Sequence, residues 1–132
     1  MALDLLGPCP LLQVFDMPTS LAFYCGQLGF EVIQSSRVEP PFDWVWLRRE
    51  GADLMLNTAF EAAHRPAERD DARWKAHSDT QLYFGCADVD EAFRDLEAKG
   101  VNVTPPVVRE FGMKQLHFQD PDGYALCFQM RV

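Results

Sequence analysis

At 132 residues the chain has room for one domain or two small units around a shared core, and 48% hydrophobic content excludes a disordered polymer. The 20 acidic and 12 basic residues give a net charge of −8 with no basic stripe, which argues against nucleic acid as a partner and is compatible with a cationic ligand. Cys9, Cys25, Cys86 and Cys127 form no Cys-x-x-Cys pair, no apolar run nears the roughly 18 residues of a membrane span, and the first residues lack a basic secretory start. Free thiols, a cytoplasmic location and no membrane contact are therefore expected.

In chain order, a strand is expected near 9–15. Asp16 then caps a helix over 18–28, with Pro18 in the first turn, where a missing N–H does no harm. Leu21, Ala22, Cys25 and Leu28 make its expected buried stripe, and Gly29 ends it. Strands follow at 30–36, 43–49 and 53–58, with Pro40-Pro41 between the first two and Glu50-Gly51 turning between the last two. The stretch 59–79 is polar and charged, without alternation; it reads as a linker with one helical turn, anchored by Trp74.

The second half repeats the plan. A strand is expected at 80–86 and a helix at 89–99, with Val89, Ala92, Phe93 and Leu96 inward and Gly100 as cap. Strands at 101–109, 113–119 and 124–130 follow. Asp120-Pro121-Asp122-Gly123 fits a type I turn between the last two. Leu116, Phe118, Leu126 and Phe128 share one face of that hairpin; Gln115, His117, Cys127 and Gln129 share the other.

The two halves are copies. Asp16 and Asp88 lie 72 positions apart, as do Gly51 and Gly123, whereas Gly29 and Gly100 lie 71 apart. A repeat in this order, with a one-residue slip inside the helix, implies two copies of one βαβββ unit. The expected fold is α+β: module one at 9–58, module two at 80–130, and curved mixed sheets around a concave cleft, together one domain over 1–132.

The paired modules, the opening Asp16-Met17 with Phe23-Tyr24 and Leu28-Gly29-Phe30, and the closing Asp120-Pro121-Asp122-Gly123 resemble the vicinal oxygen chelate superfamily. That group contains glyoxalase I, extradiol dioxygenases, and fosfomycin- and bleomycin-resistance proteins. The resemblance covers nearly the whole chain and implies the fold far more specifically than the activity. Its enzymes hold a divalent metal on the first and last strand of each module. The matching positions here are Cys9, Met55, Gln81 and Cys127, none of them His, Asp or Glu, so the residue types supply no hard octahedral site. No metal or other cofactor is expected. The bleomycin-resistance branch looks most similar: the run Phe111-Gly112-Met113 through His117 to Tyr124 and the acidic charge are like it. The resemblance then implies a homodimer that sequesters a small molecule, such as a bleomycin-like glycopeptide or another aromatic compound.

Trp44 and Trp46, with Phe42 before them, alternate with Val45 and Leu47. If the aliphatic pair meets the helix, both indoles line the cleft, where flat rings stack on ligands and attract cations; the alternative is a dimer interface or a second small core. Tyr83, Phe111 and Met113 fall on the same side or its rim. Gln81, Gln115 and His117 would orient a ligand, with His117 also open to acid–base work. Cys9 and Cys127 would suit a soft metal or a nucleophile only if something lowered their pKa, and buried thiols are otherwise small hydrophobes. The favoured expectation is metal-independent binding of a flat ligand. The alternatives are a divergent lyase, isomerase or dioxygenase, and an inert structural module.

Overall fold

The computed structural model describes residues 3–132. Module one runs β1 (Leu11–Val14), α1 (Met17–Leu21), β2 (Glu31–Ser35), β3 (Trp44–Arg49) and β4 (Ala52–Thr58). Its four strands lie in the order β1-β4-β3-β2, with β1 parallel to β4 and the other pairs antiparallel. A connecting segment carries α2 (Asp71–Ala76). Module two runs β5 (Gln81–Gly85), α3 (Val89–Ala98), β6 (Val107–Val108), β7 (Met113–Gln119) and β8 (Ala125–Arg131), ordered β5-β8-β7-β6 with the same sense of pairing. The fold is the expected α+β duplication.

The one-residue slip between the copies has a visible cause. Beyond Leu21 the first helix continues as a π-helical turn over Ala22–Gln27, closed by a bond from the Leu28 N–H to the Phe23 carbonyl at 2.9 Å. The wider turn absorbs the extra residue. It also shifts the buried stripe, which correspondingly differs from the expected one. Met17, Ser20, Phe23, Tyr24 and Leu28 are buried, Leu21 and Cys25 are half-buried, and Ala22 is exposed. Helix α3 has no such insertion, and Val89, Ala92, Phe93 and Leu96 face inward as expected.

Further boundaries moved, and the strand expected near 9–15 covers Leu11–Val14, so Cys9 precedes it. The strand expected at 101–109 contracts to Val107–Val108. Pro105 and Pro106 stand just before it and have no N–H to give a ladder.

One core serves both sheets. Val14, Val45, Leu47, Leu54 and Leu56 from the first sheet join Leu116, Phe118 and Leu126 from the second in a single apolar cluster. Phe23 from the first helix packs against Phe118 at 6.3 Å, and Phe30, just before β2, against Phe84 of β5 at 6.3 Å. The two sheets therefore present their inner faces to the same interior, and their outer faces point away from it.

The closing turn fastens module two onto module one. The Gly123 N–H reaches the Asp120 carbonyl at 3.1 Å, which makes the expected turn, and Gly123 sits at φ +84°. Both turn carboxylates are buried and bonded across the molecule. Asp120 accepts from the Tyr24 hydroxyl at 2.6 Å and from the N–H groups of Asp122 and Tyr124. Asp122 accepts from the Phe15 N–H at 2.8 Å and from the Ser20 hydroxyl. The segment before β5 braces the turn from outside: the Trp74 indole N–H donates to the Pro121 carbonyl at 2.9 Å, and His77 stacks on Tyr124 with ring centroids 4.1 Å apart.

Candidate functional site

Alternation along the strands decides what each outer face carries. On the first sheet Val45 and Leu47 are fully buried against the core, so Trp44 and Trp46 stand outward, each half-buried. Register sets Trp46 beside Met55, and Met55 beside Leu11. Trp44 lies beside Asn57, and Asn57 beside Gln13, where the Asn57 amide donates to the Gln13 side chain at 3.2 Å. The indole of Trp46 is pinned: its N–H donates to Asp53 at 3.1 Å, and Arg48 grips the same carboxylate with two bonds of 2.8 and 2.9 Å. The Arg48 bond holds the Asp53 carboxyl below the usual carboxylate range.

On the second sheet Leu116 and Leu126 face the core, so Gln115, His117 and Cys127 face outward. They form one network. Gln115 Oε1 accepts from Arg109 Nε at 3.2 Å and lies 3.0 Å from His117 Nε2, while the Gln115 amide donates to Gln129 at 3.0 Å. An oxygen can only accept, so Nε2 of His117 carries the proton in this arrangement. Tyr83 sets its ring edge-on to His117 at 6.2 Å, and its hydroxyl donates to Gln81 at 3.2 Å. Burial, with Arg109 nearby, holds the His117 pKa below its usual value. Neutral imidazole is the resting form at pH 7.

The thiols are not activated. Burial pushes Cys127 up, although Arg109 opposes it, and Cys127 Sγ lies 3.8 Å from His117 Nε2. Burial and the Asp53 carboxylate push Cys9 up as well. Neither is a thiolate at neutral pH. Met55 belongs to the first sheet, but Cys9, expected on its first strand, lies two residues before β1; Gln81 and Cys127 belong to the second sheet. A thiol, a thioether, an amide and a second thiol do not suit a hard divalent ion. Among the described residues no group of three or more His, Cys, Asp or Glu converges.

The remaining sequence candidates scatter. Phe42 packs half-buried against the core. Phe111 is 71% exposed at the tip of the β6–β7 turn. Met113 stands on the outer face opposite Arg131. Sequence reasoning left out Gln13, Asn57 and Arg131, all marked by the same alternation that picked out Trp44 and Trp46.

A family model described as the Glyoxalase/Bleomycin resistance protein/Dioxygenase superfamily matches residues 6–128. No curated protein matches the chain. Among solved structures, TioX from Micromonospora sp. ML1 is similar with a TM-score of 0.72 at 17% identity, covering 96% of this chain and 100% of that one. TnmS3, described as an antibiotic binding protein from Streptomyces sp. CB03234, gives 0.70 at 21% identity, covering 99% and 100%. A virulence protein from Salmonella typhimurium gives 0.70 at 18% identity over 100% of both chains. At these identities the likeness is one of fold.

Proposed function

Because this chain belongs to the Glyoxalase/Bleomycin resistance protein/Dioxygenase superfamily, we propose that it is a small-molecule-binding protein that sequesters a flat aromatic ligand without a metal. The observation that carries the reading is the pair of outward indoles. Trp44 and Trp46 are held from behind by Val45 and Leu47 and, for Trp46, from the side by Asp53. Half-buried rings with one face outward on a pleated surface give stacking area with little ordering cost. The description of TnmS3 as an antibiotic binding protein supports a ligand of antibiotic type.

The cleft forms between two copies of the chain. Both outer faces point away from one shared core, which supports pairing the Trp44–Trp46 face of one copy with the Tyr83–His117 face of another. A homodimer in which each first sheet covers its partner's second sheet makes two equivalent clefts by two-fold symmetry. Trp44 and Trp46 stack on the ligand, while Gln81, Gln115 and His117 orient it. With His117 neutral and both thiols protonated, binding needs no reaction to follow.

The test is calorimetric titration of purified protein with a bleomycin-like glycopeptide and with simple naphthyl and anthraquinone compounds. Micromolar binding that Trp44→Ala and Trp46→Ala each weaken supports the reading. Binding unaffected by either substitution, in a protein that sediments as a monomer, overturns it.

A further inference from the structure

The charge on the second sheet's outer face runs against that of the whole chain. The net −8 comes from elsewhere: Asp88, Asp90, Glu91, Asp95 and Glu97, for example, all belong to α3 and its cap. On the outer face itself, every strand position of β5 to β8 is uncharged except Arg131, and no carboxylate stands there. Arg109 leans over the same face from the β6–β7 turn, its Nε bonded to Gln115 at 3.2 Å. Among the described residues neither arginine is in an ion pair.

The first sheet makes the contrast plain. There Arg48 has its own counter-charge in Asp53 at 2.8 Å. Arg109 is held instead by a neutral amide. That bond uses Nε, and the paired terminal Nη groups are left without a partner among the described residues. A guanidinium presented in this way matches the two oxygens of a carboxylate with parallel N–H bonds. Closing a cleft over two arginines with no counter-ion would desolvate them at a cost, and a bound anion removes that cost. A cationic ligand would meet like charge at the same place.

We propose that the ligand is a flat aromatic anion, a carboxylic acid or ionised phenol whose oxygens meet Arg109 while its rings stack on Trp44 and Trp46. This rests on the proposed aromatic-binding cleft and takes the opposite sign from the one the overall charge invites. His117 is well placed beside such a group: as a neutral imidazole whose Nε2 proton is committed to Gln115, it adds no charge and keeps Arg109 fixed through the shared oxygen.

Three probes with one ring system decide it: 2-naphthoate, 2-naphthamide and 2-naphthylmethylammonium, each titrated calorimetrically into wild type, Arg109→Gln and Arg109→Lys. The expected order in wild type is naphthoate tighter than naphthamide by about tenfold or more, the scale of one charge-assisted hydrogen bond, with the ammonium weakest. Arg109→Gln abolishes the preference by weakening naphthoate far more than naphthamide; Arg109→Lys keeps part of the preference. The proposal is overturned if naphthamide or the ammonium binds as tightly as naphthoate, or if the preference survives in Arg109→Gln. In those cases aromatic binding itself stands. If no probe binds wild type, the aromatic-binding reading fails and the anionic one fails with it.

Discussion

The two outer faces are built on the same four-stranded frame and have diverged into opposite kinds of surface. The first carries paired indoles beside Leu11 and Met55, and its one arginine–aspartate pair is self-neutralising. The second carries a bonded row of Gln115, His117 and Gln129 beneath Arg109, with no carboxylate. The inner faces, by contrast, are alike: Leu54 and Leu56 pack in one copy as Leu126 and Phe128 do in the other. Duplication thus kept the positions that pack and freed the alternate positions to change. One face supplies stacking area, and the other supplies polar direction and charge.

The strongest way to break the comparison is to damage the frame both faces share. A Cβ on Gly123 would stand 2.3 Å from the Trp74 carbonyl oxygen, at a φ of +84° that L side chains rarely adopt. Gly123→Ala should therefore destabilise the fold by about 3 kcal/mol, from the left-handed backbone and the forced overlap together, read as a shift in the denaturant midpoint. Ligand binding at low temperature should weaken on both faces together. A midpoint shift confined within experimental error would show that the turn does not fasten the modules.

Next in size is the pH dependence of that fastening. Burial raises the Asp120 carboxyl to about 6, against the opposing bond from Tyr24. A carboxyl whose folded pKa lies above its unfolded value binds protons more tightly when folded. Its contribution to stability is greatest below the unfolded value near 3.8 and is lost as pH rises through about 6. Wild type should lose about 2 kcal/mol from this group between pH 4 and pH 7, and Asp120→Asn should lack that component when the two unfolding profiles are subtracted. Parallel profiles would contradict the burial argument.

Smaller effects separate the faces. Trp46→Ala should weaken a bound aromatic by about tenfold and Trp44→Ala by a similar factor, with little change in unfolding midpoint, because both rings stand outside the core. Gln115→Ala should instead leave stacking intact and weaken discrimination among polar substituents, since it unties Arg109 and His117 from one another. Smallest of all, Cys9→Ser should change binding by less than about twofold, the scale of a surface substitution. With both thiols raised, alkylation of Cys9 and Cys127 at pH 7 should run no faster than that of a free cysteine. A fast-reacting thiol would reopen nucleophilic chemistry on either face.

Much of this was legible in the sequence, for reasons that are local. Period-two alternation set Trp44 and Trp46 against Val45 and Leu47, and the repeat set β4 against β8. The one-residue slip was countable, but its form was not: whether an added residue makes a π turn or a bulge depends on what Phe23 and Tyr24 pack against, and their partners lie far along the chain. The same holds for the Asp120-Pro121-Asp122-Gly123 turn. Its residues announce a turn, yet the bonds from Phe15, Ser20 and Tyr24 span about a hundred positions and leave no periodic trace. Residues 59–79 read as a polar linker because α2 has no buried residue of its own; Trp74 and His77 act on the turn and on Tyr124 rather than on a core.

The central claim is that the two unlike faces meet across a dimer. The direct measurement mixes two defective proteins, Trp44→Ala/Trp46→Ala and Tyr83→Ala/His117→Ala, after mild unfolding and joint refolding. It then counts binding sites calorimetrically with the naphthyl probe that wild type binds. Each variant alone should bind nothing measurable. In the mixture, half of the dimers should be mixed, and each of those has one cleft with both faces intact, so about a quarter of wild-type capacity should return. No recovery, alongside mixed dimers shown by mass spectrometry, would contradict the claim and place the whole site within one chain.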